Sequence, residues 1–257
     1  MKQFGFSEND HCAGDLASTL STNRSLTDLK LGFNRLGDSG VKILCVALRN
    51  PDCKLQTLWL YRNDITVYSA KDLFATLNTN QSLEILNLNQ NDLGGLGVKL
   101  LSEFLRKPEC KIRKLGLSAV GLTDSYVEDL ASALSTNQLL TDLNLGYNKV
   151  GDAGVKLLSV ALKNQNCTIQ ELGLNNNSLT DSCTEDLSSA LSRNRSVRVL
   201  DLKSNSFTDR SVPALRYLIL TCRSLKSIRL CENKFRSKGK RHLELMWGSR
   251  PGMSVTL

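Results

Sequence analysis

The chain has 257 residues, 33 Lys+Arg against 25 Asp+Glu for a formal net charge of +8, 8 cysteines and only 2 histidines. No apolar run reaches the length of roughly 18 residues that marks a membrane-spanning helix, and no GxxxxGK[ST] loop for nucleotide hydrolysis occurs. The two histidines, His11 and His242, lie near opposite ends of the chain, which leaves no pair for a shared catalytic site.

The N-terminal stretch MKQFGFSENDHCAGDL lacks the apolar core of a signal peptide. It leads into DLASTLSTN at Asp15–Asn23, which matches DLASALSTN at Asp129–Asn137. Residues 1–25 therefore read as the tail of a repeat, as in a piece cut from a longer protein. From Leu26 a frame LxxLxLxxNxL begins. It recurs at Leu55, Leu83, Ile112, Leu140, Ile169, Val197 and Leu225, with steps that alternate between 29 and 28 and end on a second 28. A fixed period in the twenties with this frame is the mark of a leucine-rich repeat. A longer period, the sum of one step of each kind, lies on top: GVK recurs at Gly40, Gly97 and Gly154. The segments 26–50 and 140–164, two such units apart, share 17 of 25 residues.

Within each copy the LxxLxL core alternates like a short strand, with Leu29 and Leu31 facing inward. The Asn slot follows at Asn34, Asn63, Asn91, Asn148, Asn177, Asn205 and Asn233, and Val120 interrupts it. A buried Asn there can serve backbone groups of neighbouring coils, each of which costs roughly 1–3 kcal/mol if left unpaired. Asp38, Asp124, Asp152, Asp181 and Asp209 then stand where a helix begins and read as its N-caps. Val41, Leu44 and Leu48 follow at helical spacing, as do Val155, Leu158 and Leu162.

One strand and one helix per copy cannot bury their apolar faces alone, but a stack of copies can. The predicted fold is therefore α/β: a right-handed leucine-rich repeat solenoid, a horseshoe with a parallel sheet on the concave face and helices on the convex face. No linker interrupts the register, so residues 1–257 read as a single domain. It divides into a partial repeat 1–25, eight repeats over 26–235 and a C-terminal cap over 236–257 that includes MWGSRPG. Cys53, Cys110 and Cys167 recur at the longer period. Two strand steps set them roughly 10 Å apart, too far for a disulfide that needs Cα atoms within about 7 Å. No CxxC pair suggests zinc. Small buried thiols fit best, which points to a reducing, cytoplasmic compartment, and no cofactor or metal is implied.

The alternating 28/29 pattern, with LxxLxLxxNxLxDxGVKxLxxAL and a Cys before every second strand, resembles the ribonuclease-inhibitor class of leucine-rich repeats. LWLYRNDIT, LGLNNNSLTDSCTEDLSSAL and the PDCKL and PECKI stretches are similar to repeats of NLR innate immune receptors, particularly the expanded fish NLRP-type group. The resemblance implies the sensing and autoinhibitory part of a cytosolic receptor of the inflammasome type. Its partners would be that receptor's own NACHT module or another protein. A ribonuclease-inhibitor-like binder is the alternative, although that class is acidic and this chain is basic.

Candidate binding residues follow from counting outward positions. One column runs Lys30, Trp59, Asn87, Gly116, Asn144, Gly173, Asp201 and Arg229, and the next begins Gly32, Tyr61, Asn89 and Ser118. Large side chains gather early, at Lys30, Phe33, Trp59, Tyr61 and Arg62, types favoured in binding hot spots. Edge shielding of the stack is the other reading of this group. Charge gathers late: residues 210–257 hold 11 Lys/Arg and two acids, Glu232 and Glu244, for a net +9, while the other 209 hold 22 basic and 23 acidic, net −1. Lys234, Arg236, Lys238, Lys240 and Arg241 form a basic patch suited to nucleic acid or another acidic partner, or simply a solvated cap. Aromatic interleaving, which single-strand binding calls for, is sparse there.

Overall fold

The structure, a computed structural model, describes residues 11–248 and 250–257; the side chains of 11–13 and 246–248 are outside the description. The start of the N-terminal partial repeat and Trp247 and Ser249 of the expected cap motif lie outside the described residues or side chains. The chain forms two compact units that divide between Gly121 and Leu122.

The first unit contains α1 (His11–Thr22), β1 (Asp28–Lys30), α2 (Gly37–Leu48), β2 (Thr57–Trp59), α3 (Val67–Leu77), β3 (Ile85–Asn87), α4 (Gly94–Leu105) and β4 (Lys114–Gly116). Its strands are parallel and in sequence order, in equivalent register: Leu29 opposite Leu58, Leu58 opposite Leu86, and Leu86 opposite Leu115. The second unit contains α5 (Val127–Thr136), β5 (Asp142–Asn144), α6 (Gly151–Leu162), β6 (Glu171–Gly173), α7 (Thr184–Arg193), β7 (Val199–Asp201), α8 (Val212–Thr221), β8 (Ser227–Arg229), α9 (Ser237–Gly248) and β9 (Ser254–Thr256). Its strands run parallel in the same way, with Leu143, Leu172, Leu200, Ile228 and Val255 each opposite the next. This is the α/β leucine-rich repeat fold.

In each unit the core lies between strands and helices. The frame leucines Leu55, Leu58, Leu60 and Leu83, Leu86, Leu88 are buried, as are Val98, Leu101 and Leu105 from α4. Phe74 of α3 and Phe104 of α4 stack with their rings 6.0 Å apart and 9° from parallel. The C-terminal segment expected to be a cap carries a ninth strand: Val255 is buried opposite Ile228, in the slot of a frame leucine, and Met253 is buried just before the strand. Arg250 clasps it to the preceding coil, donating to the carbonyls of Ile219 (2.5 Å), Arg223 (3.0 Å) and Leu225 (3.0 Å).

The Asn slots form the ladder that their spacing predicts. The Asn63 Oδ1 accepts from the backbone N–H of Asn34 and Leu36, both at 3.2 Å, and its Nδ2 donates to the Leu31 carbonyl at 2.7 Å. Asn91 repeats this toward Asn63, Ile65 and Leu60. In the second unit Asn205 serves Asn177, Leu179 and Leu174. Asn177 and Asn233 take the same place against their own preceding coils. Asn34, Asn63, Asn91, Asn148, Asn177 and Asn205 are buried, and Asn233 is half-buried. Val120 fills the interrupted slot as a buried apolar residue.

The residue before each slot carries a conformational cost that its sequence does not announce. Phe33, Arg62, Gln90 and Ala119 have φ of 63, 53, 56 and 53°, and Tyr147, Asn176, Ser204 and Glu232 have 55, 52, 55 and 58°. A left-handed non-glycine residue is disfavoured by roughly 1–2 kcal/mol, and it persists because the ladder on either side fixes the turn.

The Asp residues are not N-caps of their own helices. The N-cap of α2 is Leu36, without a side-chain bond, and that of α6 is Val150. The carboxylates reach forward to the next coil instead. Asp38 accepts from the Thr66 N–H at 2.9 Å, the Thr66 hydroxyl at 2.6 Å and the Ser69 hydroxyl. Asp181 does the same to Thr208 and Ser211, Asp152 to Thr180, and Asp209 to the Arg236 N–H at 2.8 Å. Thr66, Thr180 and Thr208 are the capping residues. Asp124 caps only locally, accepting from the Ser125 N–H. The reach is possible because the residue one period on occupies the same place in the following coil. A second Asn row closes the helix ends: Asn50, Asn80, Asn164 and Asn194 donate to the carbonyls of Ser21, Leu48, Ser135 and Leu162.

Two outcomes test these rows. Asn63→Ala removes an acceptor for two buried N–H groups and is expected to cost roughly 2–4 kcal/mol, measured as a fall in the urea midpoint at unchanged m. For Asp181, burial pushes the carboxyl up, but the hydrogen bonds from Ser211 and Thr208 outweigh it and hold the group below its ordinary range. A depressed carboxyl stabilises the fold above its unfolded value and loses that contribution as pH falls through its folded value. Asp181→Ala is thus expected to cost roughly 1–3 kcal/mol at neutral pH, and the gap from wild type should shrink as pH drops below about 4.

Candidate functional site: an aromatic and cationic cluster on the strand face of the first unit

The five early candidates come together on one surface. The pairing of β1 with β2 sets Lys30 opposite Trp59, and the Lys30 ammonium sits 4.8 Å from the indole centroid. Beyond the strands, the Phe33 N–H donates to the Tyr61 carbonyl at 3.0 Å, which holds the next pair in register. Tyr61 meets Trp59 edge-on with centroids 6.2 Å apart, and meets Phe33 at 5.0 Å and 83°. The Arg62 guanidinium lies 4.9 Å over the Phe33 ring. Such edge contacts contribute about 0.5–1.5 kcal/mol each, and exposed cation–π pairs about 0.5–1 kcal/mol.

Glycine makes the arrangement possible. A Cβ on Gly32 would lie 2.0 Å from the Tyr61 ring. The tyrosine therefore lies down across Gly32 and leans on both aromatic neighbours. Left-handed backbone at Phe33 and Arg62 aims these two side chains from the strand exit. Phe33 keeps 46% of its surface exposed, Lys30 and Arg62 are exposed, and Trp59 and Tyr61 are half-buried. The Trp59 Nε1 is covered and finds no acceptor among the described residues. A buried donor left this way costs about 1–3 kcal/mol, and such a group calls for a physical reason.

The strand face of the second unit differs in kind. Arg229 pairs with Asp201 at 3.1 Å, and Lys203 pairs with Glu232 at 3.0 Å. Glu232 also accepts from the Ser204 hydroxyl at 2.5 Å. Hydrogen bonds from Ser204 and Lys203 hold the Glu232 carboxyl below its usual range, and the bond to Glu232 raises the Lys203 ammonium. Charges there neutralise one another across adjacent coils. The signal was present in the sequence as complementary polar residues one repeat period apart, at Asp201/Arg229 and Ser204/Glu232. The five basic candidates lie elsewhere in this unit: Lys234 and Arg236 after β8, and Lys238, Lys240 and Arg241 on α9. All five are exposed, and none has an ion pair among the described residues.

Cysteine and metal chemistry adds nothing to either face. The seven described cysteines are free, with Cys45, Cys53, Cys110, Cys167, Cys183 and Cys222 buried. Burial pushes the Cys183, Cys45 and Cys167 thiols up. No His/Cys/Asp/Glu cluster that could hold a metal occurs among the described residues, and no described helix is long and apolar enough to cross a membrane.

Comparison with known proteins agrees with this geometry. A family model described as Leucine Rich repeat matches residues 22–45, 79–102, 136–159 and 193–215. The chain is 46% identical over 186 residues to NACHT, LRR and PYD domains-containing protein 3 of Bos taurus, and 43% over 186 residues to that of Homo sapiens. Each match takes in 72% of this chain and 18% of the relative. Protein 14 of the same series from Homo sapiens is 43% identical over 183 residues, 71% of this chain and 17% of its own length. The chain carries leucine-rich repeats and is similar to the NACHT, LRR and PYD domains-containing proteins over most of its length. It spans under a fifth of the length of these relatives. Among solved structures, a Bacteroides fragilis protein has a TM-score of 0.59 at 17% identity, covering 99% of this chain and 73% of that one. The yeast Rad7 and Elc1 complex gives 0.59 at 18% identity, over 99% and 69%. These two likenesses concern the fold alone.

Gly32→Ala tests the seat of the cluster. The added Cβ is expected to expel Tyr61, changing Trp59 fluorescence and near-UV ellipticity while the far-UV spectrum stays that of the wild type. Unchanged aromatic signals would show that Tyr61 does not rest there.

Proposed function

We propose that this chain is a non-enzymatic protein-recognition module, the sensing and autoinhibitory leucine-rich repeat region of a cytosolic NLR-type innate immune receptor. The contact surface is the cluster of Lys30, Phe33, Trp59, Tyr61 and Arg62, and the partner is the receptor's own NACHT module or another protein. The observation that carries this reading is the cluster itself. Three aromatic rings and two cations interlock on the strand face, with Lys30, Phe33 and Arg62 exposed. Trp, Tyr and Arg are the residue types that dominate binding energy at protein interfaces. Pre-positioned rings lose little side-chain entropy on contact. The similarity to NACHT, LRR and PYD domains-containing proteins over most of the chain supports placing it within such a receptor.

In the full-length parent, deletion of the repeats is expected to raise basal signalling. Trp59→Ala should do the same in part, or weaken a partner about tenfold or more, with the thermal midpoint of the isolated chain little changed. Basal signalling and partner affinity that both ignore Trp59→Ala would reduce the cluster to edge shielding.

A further inference from the structure

The helix face of the second unit holds a groove that the strand-face reading does not use. It runs between α8 and α9, encloses about 480 Å³, and is lined by Pro213, Arg216, Tyr217, Leu220, His242 and Leu245 among others. Three of these are large apolar side chains left in water: Tyr217 at 52%, Leu220 at 47% and Leu245 at 61% exposure. Among the described residues, exposed large apolar side chains on the other helices stand at most one per helix, at Val46, Tyr68, Leu96 and Val160. Single ones are ordinary, whereas a convergent set lining a groove marks a contact surface.

Helical spacing explains the convergence. Pro213, Arg216, Tyr217 and Leu220 stand at i, i+3, i+4 and i+7 on α8 and form one stripe. Lys238, Arg241, His242 and Leu245 stand at the same spacing on α9, next to the inward-facing Leu243. Arg216 lines the groove on the α8 side, while Lys238 and Arg241 share the α9 stripe with the lining residues His242 and Leu245. Neither stripe contains an acid, and Arg216, Lys238 and Arg241 have no ion pair among the described residues. The excess is local, since the cations of the same unit's strand face are neutralised by Asp201 and Glu232.

We propose that this groove docks an acidic amphipathic helix of a partner protein. An apolar ridge of the partner, at i, i+3 or i+4 and i+7, would fill the recess between α8 and α9. Flanking Asp or Glu side chains would meet Arg216 on one side and Lys238 and Arg241 on the other. Length agrees: the 10 residues of α8 give about 15 Å at about 1.5 Å per residue, enough for nearly three turns of a partner helix. A second copy is disfavoured, because self-pairing of one face through a two-fold axis would set these cations against each other. Nucleic acid is disfavoured because the floor between the cations is apolar rather than phosphate-binding. A lipid surface would meet apolar side chains along one protruding helix, not in a recess shared by two.

The test uses the full chain, isotope-labelled for amide NMR. It is titrated with a synthetic helix of about 18 residues built only of Leu and Glu, with Leu on one stripe. The expected result is saturable shifts confined to α8 and α9, with affinity that falls as salt rises. Leu220→Ser with Leu245→Ser, both surface changes, should weaken binding at least about tenfold, and Arg216→Glu with Arg241→Glu should do so too and flatten the salt dependence. Thermal midpoints of both variants should match the wild type. The same titration is run with a Leu/Lys helix, a Leu/Glu peptide of permuted order, phosphatidylserine vesicles and an oligouridine. Absence of shifts at millimolar Leu/Glu peptide overturns the proposal. So does equal or tighter binding of any of these four competitors, a shift map on the strand face, or self-association that Leu245→Ser abolishes.

Discussion

Between one coil and the next in each unit, the constraint on which everything else depends is the buried amide of an asparagine. Its carbonyl oxygen takes two backbone N–H groups that no strand or helix serves, and its NH₂ closes a carbonyl of the coil before. Leaving such groups unpaired in an apolar interior would cost more than most single contacts contribute. Once they are paired, the turn after each strand has one conformation. Residues as ill-suited to left-handed backbone as Phe33, Arg62 and Tyr147 then accept it. The strand face is a consequence: side chains that emerge from an over-determined turn point in fixed directions. Lys30, Phe33, Trp59, Tyr61 and Arg62 form a cluster rather than a set of independent surface residues.

The Asp and second Asn rows extend the same logic to the helices. Each carboxylate of the Asp38 type holds the capping threonine of the following coil, and each Asn of the Asn80 type closes the helix end of the preceding one. Polar satisfaction is thus exported from coil to coil at three depths. Stability in such stacks is a sum of neighbour terms, and here those terms are largely hydrogen bonds from a few short side chains added to leucine packing.

Much of this was legible in the sequence, because period and register are the same information. The spacing of the Leu26 frame fixed strand positions, inward leucines and outward columns, and hence the meeting of Lys30 with Trp59. Three things stayed hidden for physical reasons. A residue and its equivalent one period on are one coil apart, so spacing alone could not say whether Asp38 caps its own helix or serves Thr66. The left-handed position has no composition to betray it, since its occupants range from Ala119 to Phe33 and Glu232. The ninth strand, Ser254–Thr256, carries Val255 where the frame has leucine and follows a Gly252 where the frame begins with one, so its register emerges only from pairing with β8. In the cluster, the columns named the five side chains, but the empty space over Gly32 that seats Tyr61 is a three-dimensional fact.

Native-state hydrogen exchange of the ladder amides tests the central claim most directly. If the asparagine amides hold the coils together, the N–H groups of Asn63 and Ile65 in the first unit, and of Asn177 and Leu179 in the second, exchange only through global unfolding of their unit. Their opening free energies would then equal those of the slowest strand amides. Exchange of these four amides at the rate of exposed loops, with the strands still protected, would contradict the account.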